Sequence, residues 1–308
     1  MSFQCDISIC ITSYKACDLL IRCLDSVYAS PPTVSYEVIV VNDYSGDGTA
    51  EVVVSRFPDV IFSENPGPVG IARGFNMAFV QAKGRYILQL SADVLPKPGA
   101  IDTLYEFMEA HPETGMVGAK ILNPDGTLQP CGRRFPTLGS VIKDRFRIHL
   151  VSPSDYFHKT YRNYNVVEEV DDMPDACLMV RRATYDQVGG LDENLKRFYD
   201  DVEWCLRIKK GGWKIYYIPQ AQAIHYWYYS RPRDATHLIQ TGYFSELYVF
   251  KKHYSRWEFF VMRLLTVVEV TLRMAKWVIS LFIKPSERKS NQERLRIGWQ
   301  TIKMALSM

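Results

Sequence analysis

Hydrophobic residues in the first 111 positions alternate between two spacings. Short runs rich in β-branched residues at Asp6 to Thr12, Glu37 to Val41, Val60 to Phe62 and Tyr86 to Leu90 read as buried strands. Between them, Leu19, Leu20, Cys23, Leu24, Val27 and Tyr28 recur as one face of a helix. Further helices are predicted over Ala50 to Phe57, Gly70 to Ala82 and Gly99 to His111. Turn chemistry separates the segments: Ser45-Gly46-Asp47-Gly48-Thr49, Asn65-Pro66-Gly67 and Ser91-Ala92-Asp93. Strands and helices alternating in this way predict an α/β domain on a parallel, doubly wound sheet. In such sheets ligands bind beyond the carboxyl ends of the strands. Thr12, Ser13 and Tyr14 follow the first strand there, Asp43 follows the second and Asp93 the fourth, so one crevice is expected to gather them.

A second concentration of chemistry lies between Met173 and Arg207. The apolar run Ala176 to Val180 ends in Arg181-Arg182 and is followed by a Gly189-Gly190 turn. Asp200, Asp201 and Glu203 then open a segment whose Val202, Cys205 and Leu206 recur at helical spacing. Carboxylates at a helix N-terminus are stabilised as anions by the unpaired peptide N–H groups, and such a carboxylate can take a proton from a nearby hydroxyl. The plainer alternative is an acidic pair that merely caps a surface helix.

Beyond about Asp234 the pattern becomes helical. Trp257 to Ile283 is mostly apolar and long enough to span a bilayer, but Glu258, Arg263, Glu269, Arg273 and Lys276 interrupt it. At about 100° per residue, four of these charges (Glu258, Glu269, Arg273 and Lys276) fall within a sector of about 60°. That predicts an amphipathic helix lying in a membrane interface. The basic residues Lys284, Arg288, Lys289, Arg294 and Arg296 that follow suit anionic headgroups. The competing expectation is a helix packed on a sister subunit, making a homo-oligomer, or on the α/β domain.

Charge agrees with this division. The net +3 splits into twelve Lys/Arg against four Asp/Glu in residues 251–308, a balance of +8, and 25 against 30 in the preceding 250 residues, a balance of −5. The expected organisation is therefore an α/β domain over 1–234 and a basic helical region over 235–308. The cysteines at 5, 10, 17, 23, 131, 177 and 205 are odd in number, mostly within apolar runs, and show no C-x-x-C spacing, which predicts reduced thiols. No signal peptide opens the chain, so a cytoplasmic catalytic side is expected.

Several function classes drop out. The turn after the first strand, Thr12-Ser13-Tyr14-Lys15-Ala16-Cys17, lacks the G-x-G-x-x-G of a dinucleotide-binding domain, and no G-x-x-x-x-G-K-[ST] occurs. The basic residues are not interleaved with a nucleic-acid-binding module. What is left is a nucleotide site made from side chains, with Tyr14 placed to stack on a base and Asp43 to accept from its ring N–H or from the ribose.

These residues carry a signature. The runs I-T-S-Y-K at 11–15, E-V-I-V-V-N-D-Y-S-G-D-G-T at 37–49, N-P-G-P-V-G-I-A-R-G-F-N at 65–76, L-S-A-D at 90–93, G-G-L-D-E at 189–193 and F-Y-D-D-V-E-W-C-L-R at 198–207 stand in the order of the family 2 glycosyltransferases. The chain resembles that family from about Asp6 to about His225. The resemblance implies a GT-A fold, a Rossmann-like, mostly parallel mixed sheet flanked by helices, here with a C-terminal helical appendage. The runs at 122–137 and 176–182 are most similar to bacterial rhamnosyltransferases that extend lipid-linked glycans.

The resemblance implies further roles. Thr12, Tyr14 and Asp43 would hold the nucleotide, with Arg73 reaching the base or diphosphate. Asp93 matches the last acid of the family's metal motif and would ligate Mg2+ or Mn2+, with His225 as a further contact to metal or diphosphate. Asp201 matches the general base of an inverting displacement, and Asp175 and Asp200 stand at the expected acceptor site. The implied partners are a nucleotide-sugar donor, with dTDP-L-rhamnose the best match, a lipid-linked saccharide acceptor and the cytoplasmic membrane face, with no nucleic acid.

The chain also departs from the family pattern. The metal motif is reduced to Ser91-Ala92-Asp93, Asp200 replaces a Glu, and Asp175 replaces a Gly. Asn123-Pro124-Asp125-Gly126, which also spells the metal motif, reads as a turn. The reduced motif leaves a catalytically silent scaffold as the rival reading. A nucleotidyltransferase ranks lower, since it would want a Gly-rich phosphate loop after the first strand.

Overall fold

The computed structural model describes residues 3–146, 163–227, 236–283 and 288–308. The expected domain boundary near residue 234 and the basic residue Lys284 lie outside these. Within them, chain contacts define two compact units.

The first unit is the α/β body. Its early strands are β1 (Cys5–Ser13), β2 (Tyr36–Asn42), β3 (Ile61–Glu64) and β4 (Gly84–Ser91), and its early helices are α1 (Cys17–Ala29), α2 (Thr49–Arg56), α3 (Ile71–Gln81) and α4 (Ala100–Ala110). These match the sequence expectation within two residues at nearly every boundary. β1 pairs in parallel with β2 and β4, and β2 with β3, so Ser13, Asn42 and Ser91 finish side by side at one edge. The middle of β1 is buried on both faces: Ile7, Ile9, Cys10 and Ile11 are fully enclosed, and the buried Ser8 hydroxyl donates to Glu37 at 2.6 Å. α1 buries Leu20, Ile21, Cys23, Leu24 and Val27 on one stripe. α3 approaches β1 closely at Gly74, where an added Cβ would sit 3.2 Å from Thr12 Cγ2.

The remaining strands make the sheet mixed. They are β5 (Val94–Pro96), β6 (Thr114–Leu122), β7 (Leu128–Gln129), β8 (Glu168–Glu169), β9 (Cys177–Arg181) and β10 (Lys214–His225). The order is β3-β2-β1-β4-β9-β6-β10-β5, with β7 on β6 and β8 on β10. β9 runs antiparallel between β4 and β6, while β10 pairs in parallel with β6 and antiparallel with β5. The Asn123 to Gly126 segment is the expected tight turn between β6 and β7: Gly126 N–H donates to Asn123 O at 2.9 Å, and Gly126 takes φ +83°. All seven cysteines are free, and burial pushes the thiols of Cys10, Cys23 and Cys177 up.

The second unit is not confined to the C-terminal sequence. Besides α8 (Thr236–His253), α9 (Arg256–Ile283) and α10 (Arg288–Ser307), it takes in α5 (Leu138–Arg145) and the segment 195–200. Its small core is Val141, Leu247, Phe250, Met262 and Ala305. Arg145 is buried against Glu246 and lies 3.2 Å from Glu269, and Arg273 joins Glu269 at 2.8 Å. The segment 195–200 is tied to α8, since Ser245 Oγ donates to Arg197 O at 2.9 Å and Tyr199 OH to Glu246 at 3.1 Å. Two consecutive residues there, Phe198 and Tyr199, have φ of +67° and +64°, which is costly for bulky side chains.

The polar sector predicted on α9 turns out to be partly internal. Glu269 serves the buried arginine, and the neighbouring stripe Met262, Thr266 and Val270 is buried. Trp257, Phe260, Leu264, Leu272, Ile279 and Phe282 are exposed on the opposite side. Among the described residues no helix is long and apolar enough to cross a membrane.

Candidate active site

The loops after β1 and β2 are cross-linked at the strand ends. Asp43 N–H donates to Ser13 O at 2.7 Å, Lys15 N–H to Ser45 Oγ at 2.8 Å, and Ser45 Oγ to Asn42 Oδ1 at 2.5 Å. Lys15 and Tyr44 both sit at positive φ, +50° and +57°. Backbone held in this region at two facing loops is the kind of local strain that collects at ligand sites. Between the loops opens a cavity of about 620 Å³, lined by Tyr14, Lys15, Tyr44, Ser45, Glu64 and Asn65 among others. Tyr14 and Tyr44 are both more than half exposed, leaving two aromatic faces for a planar ring.

Asp43 is buried behind this cavity and organises the next loop. Its carboxylate accepts from Asn65 Nδ2 at 3.0 Å, Val69 N–H at 2.7 Å and Gly70 N–H at 2.9 Å. A carboxylate has about four acceptor sites, so it retains capacity for one further donor. Thr12 packs on α3 at Gly74 and is not part of the cavity lining. Arg73 lies on the exposed side of α3, 3.9 Å from Glu193, and is likewise outside the lining.

Asp93 follows β4 and is buried. Its carboxylate Oδ1 lies 3.4 Å from His225 Nε2 at the end of β10, and the backbone locks the pair, because Tyr226 N–H donates to Asp93 O at 2.8 Å. Ligands about 2.1 Å from one ion at right angles stand about 3 Å apart, so this carboxylate oxygen and imidazole nitrogen fit a shared divalent cation. Among the described residues no group of three or more His, Cys, Asp or Glu side chains gathers to hold a metal. A cation here would complete its coordination with phosphate oxygens and water, and an imidazole donor favours Mn2+ over Mg2+.

The acids around this pair divide by environment. Ser91 Oγ donates to Asp175 O at 2.9 Å and Ser91 N–H to Ala176 O at 3.1 Å, stitching the Asp93 turn to the segment that carries Asp175. Burial, then the Asp201 charge, push the Asp175 carboxyl up to about 6; His225 opposes the shift and Asp93 adds to it. Asp201, near the start of α7 (Asp200–Lys210), is held at 2.7 Å by Arg133 Nη2, whose Nε is on the fully buried Asp172. Asp200 is buried at the first position of that helix. Glu203 is structural: it pairs with Arg207, which donates onward to the carbonyls of Val188 and Gly190 and so fixes the Gly189-Gly190 turn.

Sequence reasoning missed Tyr44, Gln129, Arg133 and Asp172. Tyr44 was within reach, since it follows Asp43 at the same strand end as the other candidates. Gln129 and Arg133 lie within the rhamnosyltransferase-like run at 122–137, but their partners are 96 and 68 positions away.

A mixed sheet with a nucleotide-sized cavity at the carboxyl ends of β1 and β2 and an acid–imidazole pair beside a second set of carboxylates defines an α/β group-transfer enzyme. The chain matches the model of glycosyl transferase family 2 over residues 8–188, more than half its length, and it belongs to that family. It is a glycosyltransferase of the GT-A fold.

Its relatives refine the comparison. It is 27% identical over 280 residues to the N-acetylglucosaminyl-diphospho-decaprenol L-rhamnosyltransferase of Mycobacterium tuberculosis (strain ATCC 25618 / H37Rv), covering 84% of this chain and 87% of that one. Among solved structures, the mannosyltransferase PcManGT from Pyrobaculum calidifontis, in complex with GDP-Man and Mn2+, superposes with a TM-score of 0.56 at 15% identity, covering 98% of this chain and 88% of that one. S. aureus TarS 1-349 gives 0.54 at 16% identity, covering 86% and 65%. At these identities the structures speak to the fold alone.

Proposed function

We propose that this protein is an inverting glycosyltransferase that moves a sugar, L-rhamnose from dTDP-L-rhamnose, onto a lipid-linked saccharide at the cytoplasmic face of a membrane in cell-surface glycan synthesis. The observation that carries the reading is the meeting of Asp93 Oδ1 and His225 Nε2, 3.4 Å apart, on a turn that Ser91 stitches to the segment carrying Asp175. The mycobacterial relative's name, which specifies L-rhamnose and a diphospho-decaprenol acceptor, supports the choice of sugar and acceptor class.

In this reading Tyr14 and Tyr44 sandwich the base and Asp43 takes one hydrogen bond from the base or ribose through its remaining acceptor site. Asp93 and His225 would hold a divalent cation, whose charge would offset that of the departing nucleoside diphosphate. Asp201 accepts the proton of the acceptor hydroxyl as that oxygen bonds to the anomeric carbon and the bond to the diphosphate breaks on the opposite face. Arg133 aims the Asp201 carboxylate, and Asp172 offsets the guanidinium charge so that Asp201 is not the arginine's sole counter-ion. Asp175 and Asp200 face the acceptor. The exposed stripe of α9 with the basic residues of α10 provides the membrane contact, an apolar face beside cations.

The test is calorimetric binding of a panel of nucleotide sugars to the wild type and to Asp93→Ala, with and without Mn2+, followed by turnover on a polyprenyl-diphosphate saccharide. Mn2+-assisted binding of dTDP-L-rhamnose, weakened by the substitution and followed by transfer with inversion, is expected. Absence of binding by any nucleotide sugar under every metal condition sinks the reading in favour of a silent scaffold.

A further inference from the structure

The turn Asn123-Pro124-Asp125-Gly126 spells a metal motif, yet it sits on a hairpin and its acid is occupied within the turn. A directed chain of hydrogen bonds gives it another use. The Asp125 carboxylate accepts from Thr127 Oγ1 at 2.6 Å. An ionised carboxylate only accepts, so the Thr127 hydroxyl proton points at it, and the Thr127 oxygen is left to accept from Asn123 Nδ2 at 2.8 Å. The amide oxygen of Asn123 must then face the other way, where it accepts from Gln129 Nε2 at 2.8 Å. The same Gln129 Nε2 donates to the His225 carbonyl at 2.9 Å. Two acceptors on one side of the Gln129 amide fix its orientation, so its oxygen meets His225 Nδ1 at 3.0 Å. That nitrogen must carry the proton. In the neutral imidazole His225 Nε2 is then the bare nitrogen, and it is the one that faces Asp93 Oδ1 at 3.4 Å.

The consequence is electrostatic. With Nδ1 protonated, a neutral His225 presents a lone pair to a carboxylate, and two donors of electron density face each other across 3.4 Å. A divalent cation bound to both atoms relieves this arrangement. A hydrogen bond that fixes the tautomer of a ligating histidine also raises the basicity of its other nitrogen.

We propose that Gln129, oriented by the Asn123–Thr127 turn, is the positioning residue that holds His225 in the Nδ1–H tautomer, so that Nε2 and the Asp93 carboxylate form a preorganised two-donor clamp for a divalent cation. This rests on the metal role of Asp93 and His225 proposed above. It assigns the hairpin a purpose: the turn serves as a polarity source for a histidine about a hundred positions further along the chain, and its own acid does not bind the metal.

The experiment reads the tautomer directly in the metal-free full-length protein by long-range 1H–15N correlation of labelled histidines, with the His225 signal assigned by its loss in His225→Gln. The wild type is expected to show the Nδ1–H form. Gln129→Met is expected to move His225 toward the Nε2–H form and to weaken Mn2+ binding in calorimetry by about 10–100-fold. Gln129→Glu keeps an acceptor opposite Nδ1 and is expected to keep the tautomer. A wild-type Nε2–H tautomer, or a Gln129→Met protein with unchanged tautomer and unchanged Mn2+ affinity, overturns the proposal, as does a Gln129→Glu protein that shifts as far as Gln129→Met. Failure of the underlying metal reading looks different: the wild type and Asp93→Asn would bind Mn2+ equally poorly whatever the tautomer signal shows, and the clamp would then be rejected with it.

Discussion

Replacing Arg133 with methionine separates a structural charge from a chemical one. Arg133 divides its guanidinium between Asp172, which is 0% exposed, and Asp201, whose side chain is 13% exposed. Methionine keeps much of the stem and takes the guanidinium away from both carboxylates, one of which, Asp172, lies in the interior. Breaking a buried pair in this way costs about 3–5 kcal/mol. Arg133→Met with Asp172→Asn removes the buried charge as well as the cation, and is expected to be more stable than Arg133→Met alone by at least about 2 kcal/mol, with Asp172→Asn alone destabilising. Two compact units need not unfold together, so a single global midpoint is a poor gauge. Hydrogen exchange of the α7 amides, followed by mass spectrometry across a urea series, reports the free energy of the local unit. Transfer activity tells the two roles apart. The double variant is expected to recover folding without recovering turnover, because Asp201 has lost the group that aims it. A cost below about 1 kcal/mol for Arg133→Met, or a double variant no more stable than it, would refute the account of Arg133 as a shared counter-ion.

Other expectations follow from the same geometry. The Asp175 carboxyl, raised from 3.8 to about 6 chiefly by burial, is protonated in the folded metal-free protein where it is already ionised in the unfolded chain. Stability contributed by this group is thus full below about pH 4, falls between pH 4 and 6 and stays low above, by at most about 3 kcal/mol and about 1–2 after solvent screening. Asp175→Asn should accordingly raise the unfolding free energy read by hydrogen exchange of the β9 amides in the EDTA-treated protein at pH 7.5 and flatten its change between pH 4 and 6; a lower value at pH 7.5 contradicts this. Tyr14→Ala and Tyr44→Ala are each expected to weaken nucleoside diphosphate binding by the loss of one stacking face, about 1–3 kcal/mol, read by calorimetry, and equal affinity in all three proteins would place the base elsewhere. Leu272→Glu on the exposed stripe of α9 should reduce co-sedimentation with anionic vesicles by roughly tenfold or more without altering the melting curve, since it deletes about 1.5–3 kcal/mol of apolar burial. An unchanged vesicle-bound fraction would move that stripe to a protein partner.

How far the sequence disclosed all this depends on the range of each contact. The strands and helices of the first 111 residues are legible because alternation and the 3.6-residue stripe are local signals, and once they alternate, Tyr14, Asp43 and Asp93 must emerge at one edge. Asp93 with His225, and Arg133 with Asp201, are joined only by the way β10 and α7 return to the sheet, and no spacing along the chain encodes that return. α9 illustrates a different limit. Periodicity located its charged sector but does not say which of two apolar flanks faces the core; Glu269 was drawn inward by a buried arginine on α5, a segment far earlier in the chain. The ties of segment 195–200 to α8 went unnoticed for the same reason, since they span nearly fifty positions.

Those ties bear on how the protein can be trimmed. A chain ended before residue 236 keeps every strand of the sheet and the cavity between the loops after β1 and β2. It loses α8, and with it the serine and glutamate that secure Arg197 and Tyr199. Phe198 and Tyr199 would then hold left-handed backbone, at about 1–3 kcal/mol each, with two of their anchors gone, and would relax toward ordinary conformations directly ahead of Asp201. A shortened catalytic fragment is therefore expected to go on binding nucleotide while losing transfer, and its inactivity would report a misdirected helix entrance even with all the named acids in place.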